Sequence, residues 1–404
     1  MPVLRFKDAN GHAFEAPDEL TIHDLFDKVK TTNKDGQNKN VITNSAEHGL
    51  IPQRDFFDKD IAVDGNTSKY TIITDGDFVY NPRKSSTAPY GPFNCYTRKE
   101  PGIVSPLYFC LTPKNKEFTP YLLYYFASPA WYSYIYHNGN QGGARHDRVG
   151  MTNSLLQGIP VTLPCLEEQK KITTFLSLYD EYVKTQENKV DALEKRRKGL
   201  LQQIFSKDIR FKDEEDNEYA DWQEMSLDSV LLEYNEKSSK DGIYEHVSLT
   251  KEGVIPKTER YNRDHLVTHE DKEYRVTHLD DICYNPANLK FGVICRNKYK
   301  DAIFSPIYVT FKVKKGFIPA FVERLLVRNS FIQEALQYQE GSIYERMAVS
   351  PEDLLSMPID MPSLPEQKKI AQFFDLIDKQ IQVEKDKLEA IKLVKKGLLQ
   401  QMFV

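Results

Sequence analysis

The feature that most limits what this chain can become is a helical segment written twice. Residues 164–206 and 362–404 superimpose without a gap. Glu168-Gln169-Lys170-Lys171-Ile172 falls on Glu366-Gln367-Lys368-Lys369-Ile370, and Lys198-Gly199-Leu200-Leu201-Gln202-Gln203 on Lys396-Gly397-Leu398-Leu399-Gln400-Gln401. A repeat about half the chain long points to a duplicated unit rather than a solenoid of short repeats. Both copies space apolar residues by alternating threes and fours. The first has Leu176, Tyr179, Val183, Val190, Leu193, Leu200 and Ile204, and the second has Phe374, Ile377, Ile381, Leu388, Ile391, Leu398 and Met402. Gln186 and Arg197 interrupt the first seam where Glu384 and Lys395 interrupt the second. Such a narrow stripe along an uninterrupted helix is a coiled-coil seam, and its nearest partner is the other copy. Roughly 38 helical residues give a rod of about 57 Å. Pro164 and Pro365 stand at the starts, where proline is tolerated.

Connectivity then fixes direction. If the halves are equivalent, each globular region lies at the N-terminal end of its own helix, and the second region begins where the first helix ends. The helices must run antiparallel, and Val404 should return close to the start of the first globular region. The expected fold is α+β: two pseudo-symmetric, mainly β domains (1–157 and 207–355) joined by two long antiparallel coiled-coil helices (158–206 and 356–404).

The duplication extends into the globular halves. Arg5-Phe6-Lys7-Asp8 recurs as Arg210-Phe211-Lys212-Asp213, and His48-Gly49-Leu50-Ile51-Pro52 parallels Glu252-Gly253-Val254-Ile255-Pro256. Tyr80-Asn81-Pro82 parallels Tyr284-Asn285-Pro286, Ser105-Pro106 parallels Ser305-Pro306, and Asp147-Arg148 parallels Glu345-Arg346. Between these anchors the sequences differ freely. Short helices are expected at Ile22–Lys30 and Leu227–Tyr234, and longer ones at Pro120–Tyr136 and Pro319–Gln337. Strands are expected at Tyr70–Thr74, Asp77–Tyr80, Val104–Leu111 and Ile303–Val313.

Composition excludes several classes. A hydrophobic share of 40 % and a mean hydropathy of −0.55 suit a soluble globular protein, here expected in the cytoplasm. No apolar run approaches the roughly 20 residues of a membrane span, and the N-terminus lacks the apolar core of a secretory signal. The five cysteines contain no CxxC pair and read as ordinary thiols of a reducing compartment. The net charge of −5 hides local excesses. Phe78–Arg148 has 8 Lys/Arg against 3 Asp/Glu, and Ile282–Phe331 has 9 against 2. Both excesses follow the Tyr-Asn-Pro element in stretches also rich in Tyr, Asn and Gly, a composition suited to phosphate contact and base-edge readout.

This arrangement resembles the specificity subunit of a type I restriction-modification system. The resemblance covers the whole chain: domain, long helix, domain, long helix. Its most specific parts are the helix openings at Leu163–Ile172 and Met361–Ile370 and the KGLLQQ ends of both helices. It implies that each globular half is a target recognition domain reading one part of a split, asymmetric DNA sequence. The paired helices would set the spacing and dock two methyltransferase subunits, with motor-nuclease subunits joining through those. S-adenosylmethionine is then expected in the methyltransferase, ATP and Mg in the motor-nuclease, and no cofactor in this chain. Two readers on a stiff spacer suit half-sites about one helical turn, ~34 Å, apart.

No catalytic motif accompanies these features. Tyr80-Asn81-Pro82-Arg83 and Tyr284-Asn285-Pro286-Ala287 lack the second proline and aromatic residue of a methyltransferase loop and read as strand-end turns. There is no GxGxxG, no GxxxxGK[ST] and no HExxH. Asp180-Glu181-Tyr182-Val183-Lys184 superficially suits a nuclease, but its place in the coiled coil makes it an ion-paired helix face. The chain is therefore read as a non-enzymatic DNA reader. The competing readings are a coiled-coil adaptor that never touches DNA and a self-sufficient modifying enzyme.

Candidate DNA contacts are residues that differ between the halves: Arg83, Lys84, Tyr90, Asn140, Gln141 and Arg145 in the first, and Asn288, Lys290, Arg296 and Tyr344 in the second. Arg148 and Arg346 match between halves and suit phosphate or scaffold roles. The aromatic row Tyr121, Tyr124, Tyr125, Trp131, Tyr132, Tyr134 and Tyr136 reads as helix packing. Gln169, Lys170, Gln367 and Lys368, at the helix openings, are the expected partner-binding positions, and no metal ligands are expected.

Overall fold

The computed structural model describes residues 2–56, 67–139, 147–238, 243–257, 273–339 and 347–403. Two compact units emerge: Met1–Lys189 with Glu384–Val404, and Val190–Val383. Each contains one globular half, the beginning of its own long helix and the end of the other.

In the first unit a four-stranded antiparallel sheet runs in the order Phe26–Lys28, Phe109–Pro113, Phe78–Tyr80, Phe93–Cys95. The second unit repeats it as Leu231–Tyr234, Val309–Val313, Ile282–Tyr284, Ile294–Arg296. The central strand is covered on both faces, and strand periodicity divides its side chains between two cores. Phe78 and Tyr80 face the helical side, with Phe93, Phe126 and Trp131, while Val79 faces a smaller core with Ile42, Ile73 and Val104. Ile282 and Tyr284 make the same division against Cys283. The smaller core is roofed in the second unit by a five-stranded sheet, in which Glu245–Leu249 and Ala302–Phe304 pair in parallel. The first unit holds the same neighbours more loosely. Ile42–Ser45 pairs with Gly49–Pro52 and Thr71–Ile73 with Gly102–Val104, and among the described residues a single bridge, Val41–Ile103, joins the pairs.

Some local expectations are corrected. Ile22–Leu25 is one helical turn before the edge strand Phe26–Lys28, and Leu227–Ser229 one turn before Leu231–Tyr234. The aromatic residues Phe26 and Tyr234 go to a sheet edge rather than a helix. Val104–Leu111 and Ile303–Val313 are each two strands divided at Ser-Pro. The aromatic helix breaks into Thr119–Ala127 and Tyr132–Asn138, because Pro129 forces Ser128 out of helical geometry. Its counterpart breaks into Pro319–Leu326 and Asn329–Ala335 at extended Arg328. Of the aromatic row, Tyr121, Tyr124, Tyr125 and Trp131 are buried, and only Tyr136 is largely exposed.

The long helices span Leu166–Phe205 and Leu364–Met402, so Pro365 lies in a first turn, where its missing N–H costs no intrahelical hydrogen bond. Before each helix a strand pairs back into its own domain: Pro160–Leu163 with Asp18–Thr21, and Pro358–Met361 with Gln223–Ser226. Within the first unit the helices run antiparallel, with Lys395 paired to Asp180 and Lys392 to Glu187 at 2.9 Å. Within the second, Arg197 pairs with Asp378, the same ion pair one repeat on. Gln186 meets its own repeat counterpart: its amide donates to the Glu384 carboxylate at 2.7 Å and to the Glu384 carbonyl at 2.9 Å. Lys189 and Lys387 complete the ring around Glu384 at 3.0 and 3.1 Å. Hydrogen bonds from Gln186, Lys189 and Lys387 pull its carboxyl down to about 2. The chain does return on itself, for the Gln401 carbonyl accepts from the Leu4 amide at 3.0 Å. Phe403 packs on Tyr121, as Phe205 stacks on Phe321 in the second unit.

The helix openings explain the most conserved repeat. Arg5 forks onto Glu168 at 2.6 and 3.1 Å, and Arg210 onto Glu366 at 2.9 and 3.3 Å, with both glutamates buried. Lys171 donates to the Lys7 carbonyl at 2.7 Å, and Lys369 to that of Lys212. Phe6 packs edge-on against Phe175 and Phe211 against Phe373. Gln169 and Gln367, expected to face a partner, are instead buried. Their side-chain amides donate to the Pro164 and Pro362 carbonyls at 2.7 and 2.9 Å, clamping each helix start to its own domain. Only Lys170 and Lys368 of those four stand exposed. Asp180, from the segment that resembles a nuclease motif, accepts from Tyr124 at 2.5 Å and pairs with Lys395.

Candidate nucleic-acid interface

Each domain carries an open polar cleft at the end of its Tyr-Asn-Pro strand. In the first, Asn81 ends the strand and ties it to the hairpin Ile42–Pro52 by donating to the Asn44 carbonyl at 3.2 Å. Asn44 in turn donates to the Val79 carbonyl at 2.7 Å and accepts from Asn94 at 2.6 Å. This buried amide lattice holds the hairpin against the sheet. The Asn81 side chain also accepts from the Arg83 amide at 3.1 Å, turning the chain outward. There Arg83 bridges to Arg148, and the Lys84 amide donates to the Asp147 carbonyl at 2.8 Å. Arg83, Lys84 and Arg148, three positions singled out from sequence, thus share one wall of a cleft of about 370 Å³. Arg83 is only loosely paired with Asp147 at 3.9 Å, both largely exposed, and the Arg148 Nε is buried without a partner among the described residues. The return strand depends on Gly91 (φ +86°), where a Cβ would lie 2.1 Å from the Asn81 carbonyl oxygen.

The second cleft, about 730 Å³, has the same plan. Asn285 and Tyr308 stand where Asn81 and Tyr108 stand, and Leu249–Ile255 replaces the first hairpin. The outward turn is a short helix, Pro286–Phe291, capped by the Asn285 side chain and closed by Gly292 at φ +77°. It brings Asn288 and exposed Phe291 to the cleft, opposite Lys251 and Glu252. Lys290 lies just outside, 5.1 Å over the Phe291 ring.

Two sequence candidates are engaged elsewhere. Arg296 pairs with Asp280 at 3.0 Å and with buried Glu323 at 3.3 Å, so its charge is matched inside its own domain. Tyr90 packs on Tyr132, and its carbonyl accepts from the Tyr80 hydroxyl at 2.6 Å. Asn140, Gln141, Arg145, Tyr344 and Arg346 lie outside the described residues. The hairpin residues were not among the sequence candidates. The available signal was that chain length and charge change just before the glycine the two hairpins share.

The chain matches the model of the type I restriction modification DNA specificity domain over residues 19–195 and again over 220–393. It belongs to that family. Two specificity subunits from Methanocaldococcus jannaschii are similar to it. The one assigned to the type I restriction enzyme MjaX is 26 % identical over 82 % of this chain and 78 % of its own length. That of MjaVIII is 23 % identical over 96 % of this chain and 93 % of its own. The fold is shared with the S subunit of a type I restriction-modification system from M. genitalium (TM-score 0.51, 15 % identity, 100 % of this chain and 99 % of that one). It is also shared with a chain from a structural study of type I system assembly and conformational transition (TM-score 0.57, 13 % identity, 96 % and 99 %). As a type I specificity subunit, the chain is a non-catalytic component of its system. Among the described residues no cluster could hold a metal ion, and no helix is long and apolar enough to cross a membrane.

Proposed function

We propose that each cleft reads one part of a bipartite, asymmetric DNA target. The observation that carries this is one cleft built twice with a shared floor and different walls: Asn81 and Tyr108 against Asn285 and Tyr308 below, cationic Arg83 and Lys84 against Asn288 and Phe291 above. A shared floor suits a common approach to the duplex, and different walls suit different base sequences. The long helices set the separation of the two readers. They also dock two copies of a methyltransferase subunit, through which motor-nuclease subunits join. Exposed apolar Leu178 and Leu376, at the same place in the two repeats, suit one partner surface used twice. S-adenosylmethionine would be held by the methyltransferase, and ATP and Mg by the motor-nuclease. Mapping modified adenines in cells that express this chain with its methyltransferase tests the proposal, before and after residues 207–355 are replaced by another such domain. A split motif in which only one half changes supports two independent readers. An unchanged motif leaves a scaffold without DNA contact.

A further inference from the structure

We infer that the turns of the two cleft hairpins are specificity elements, with Glu47 in the first half and Lys251 in the second each reading a base edge. This rests on the DNA-reading function proposed above. Each turn lines the same cleft as Arg83 and Lys84, or Asn288. Glu47 and Lys251 are exposed, line their clefts and have no side-chain partner among the described residues.

Each turn is held by hydrogen bonds of its own. The Ser45 hydroxyl accepts from the Glu47 and His48 amides at 3.2 Å each. The Thr250 hydroxyl occupies the same place, accepting from the Glu252 amide at 3.2 Å and donating to the Gly253 carbonyl at 3.0 Å. Preorganisation of this kind lowers the entropic cost of holding a side chain at a groove. On this common frame the tips differ in length and charge. Asn44 pairs with Leu50 and Leu249 with Val254, so the second turn is one residue shorter. Ala46-Glu47-His48 is thereby replaced by Lys251-Glu252.

Chemistry assigns the preferences. A carboxylate among phosphates is repelled unless it accepts from a base amine, which makes Glu47 a reader of cytosine N4 or adenine N6 rather than a backbone contact. An ammonium only donates, so Lys251 suits guanine O6 or N7.

The test is a map of modified sites for the full chain assembled with its methyltransferase subunits, comparing E47A, K251A and K251R with the parent. E47A should relax one position of the first half-motif by roughly 10- to 100-fold and leave the second half intact. K251A should do the same in the second half only, and K251R should retain the guanine preference. Melting curves matching the parent exclude misfolding, as expected for exposed turn residues. Unchanged motifs, or an equal loss at every site in K251A as from a lost phosphate contact, would overturn the inference while the DNA-reading function stands. A parent that yields no split motif would overturn both.

Discussion

The helix openings and the clefts are both repeated features of this chain, yet they have diverged to very different degrees. At the openings nearly every contact recurs: Arg5 on Glu168 and Arg210 on Glu366, Lys171 on the Lys7 carbonyl and Lys369 on that of Lys212, Phe6 on Phe175 and Phe211 on Phe373. In the clefts the floor and the hairpin frame recur, while exposed wall residues such as Arg83, Lys84 and Glu47 do not. Each ion pair at the openings seats a buried carboxylate and tolerates little change, because losing the arginine strands that charge away from water. A solvent-facing cleft wall carries no such penalty and is free to diverge. Repetition in this chain therefore marks what holds the frame, and divergence marks what the frame presents.

The comparison can be broken most forcefully at the openings. Replacing Arg210 with Ala leaves buried Glu366 without its guanidinium and should cost about 3 kcal/mol, as should Arg5→Ala at Glu168. Denaturant unfolding of the full chain measures both, and losses below about 1 kcal/mol would show that the repeated contacts are not what holds the frame. Next come the glycines of the cleft walls. Gly91→Ala meets the Asn81 carbonyl as well as a positive φ and should cost about 3 kcal/mol, whereas Gly292→Ala meets only the unfavourable φ and should cost about 1 kcal/mol. Equal losses would mean that the two walls are built alike. The smallest effect is at the helix seam. The Glu384 carboxyl, drawn down to about 2, contributes stability that is complete above its unfolded value near 4.5 and is lost as pH falls through the folded one. The melting temperature of the parent should therefore decline between about pH 5 and pH 2 more steeply than that of Glu384→Gln. Parallel pH profiles would contradict the ring of donors around Glu384.

Much of the frame was legible in the sequence because it depends on periodicity and duplication. The seam positions Leu176, Val190, Phe374 and Ile381 are buried as their spacing requires, and the antiparallel direction followed from connectivity alone. Side-chain roles set by three-dimensional neighbours were less accessible. Gln169 and Gln367 look solvent-facing by type, but each reaches back to a proline carbonyl five residues earlier. Arg296 counts as a free charge in any window sum, although Asp280 and Glu323 already match it. Window sums also pass over Glu47 and Lys251, since one charge beside a turn glycine leaves the local balance almost unchanged. Their placement in the same clefts as Arg83 and Asn288 depends on strand pairing that only the folded domain reveals.

The most direct test compares one variant from each region in a single assay. Arg5→Ala and the double variant Arg83→Ala/Lys84→Ala would be assembled with the methyltransferase at a temperature where both are folded, and their modified sites mapped by sequencing. The account predicts the parental motif for Arg5→Ala, and for the double variant a motif relaxed in one half with the other half intact. A changed motif in Arg5→Ala, or an unaltered one in the double variant, would contradict the division between a frame that holds and a cleft that reads.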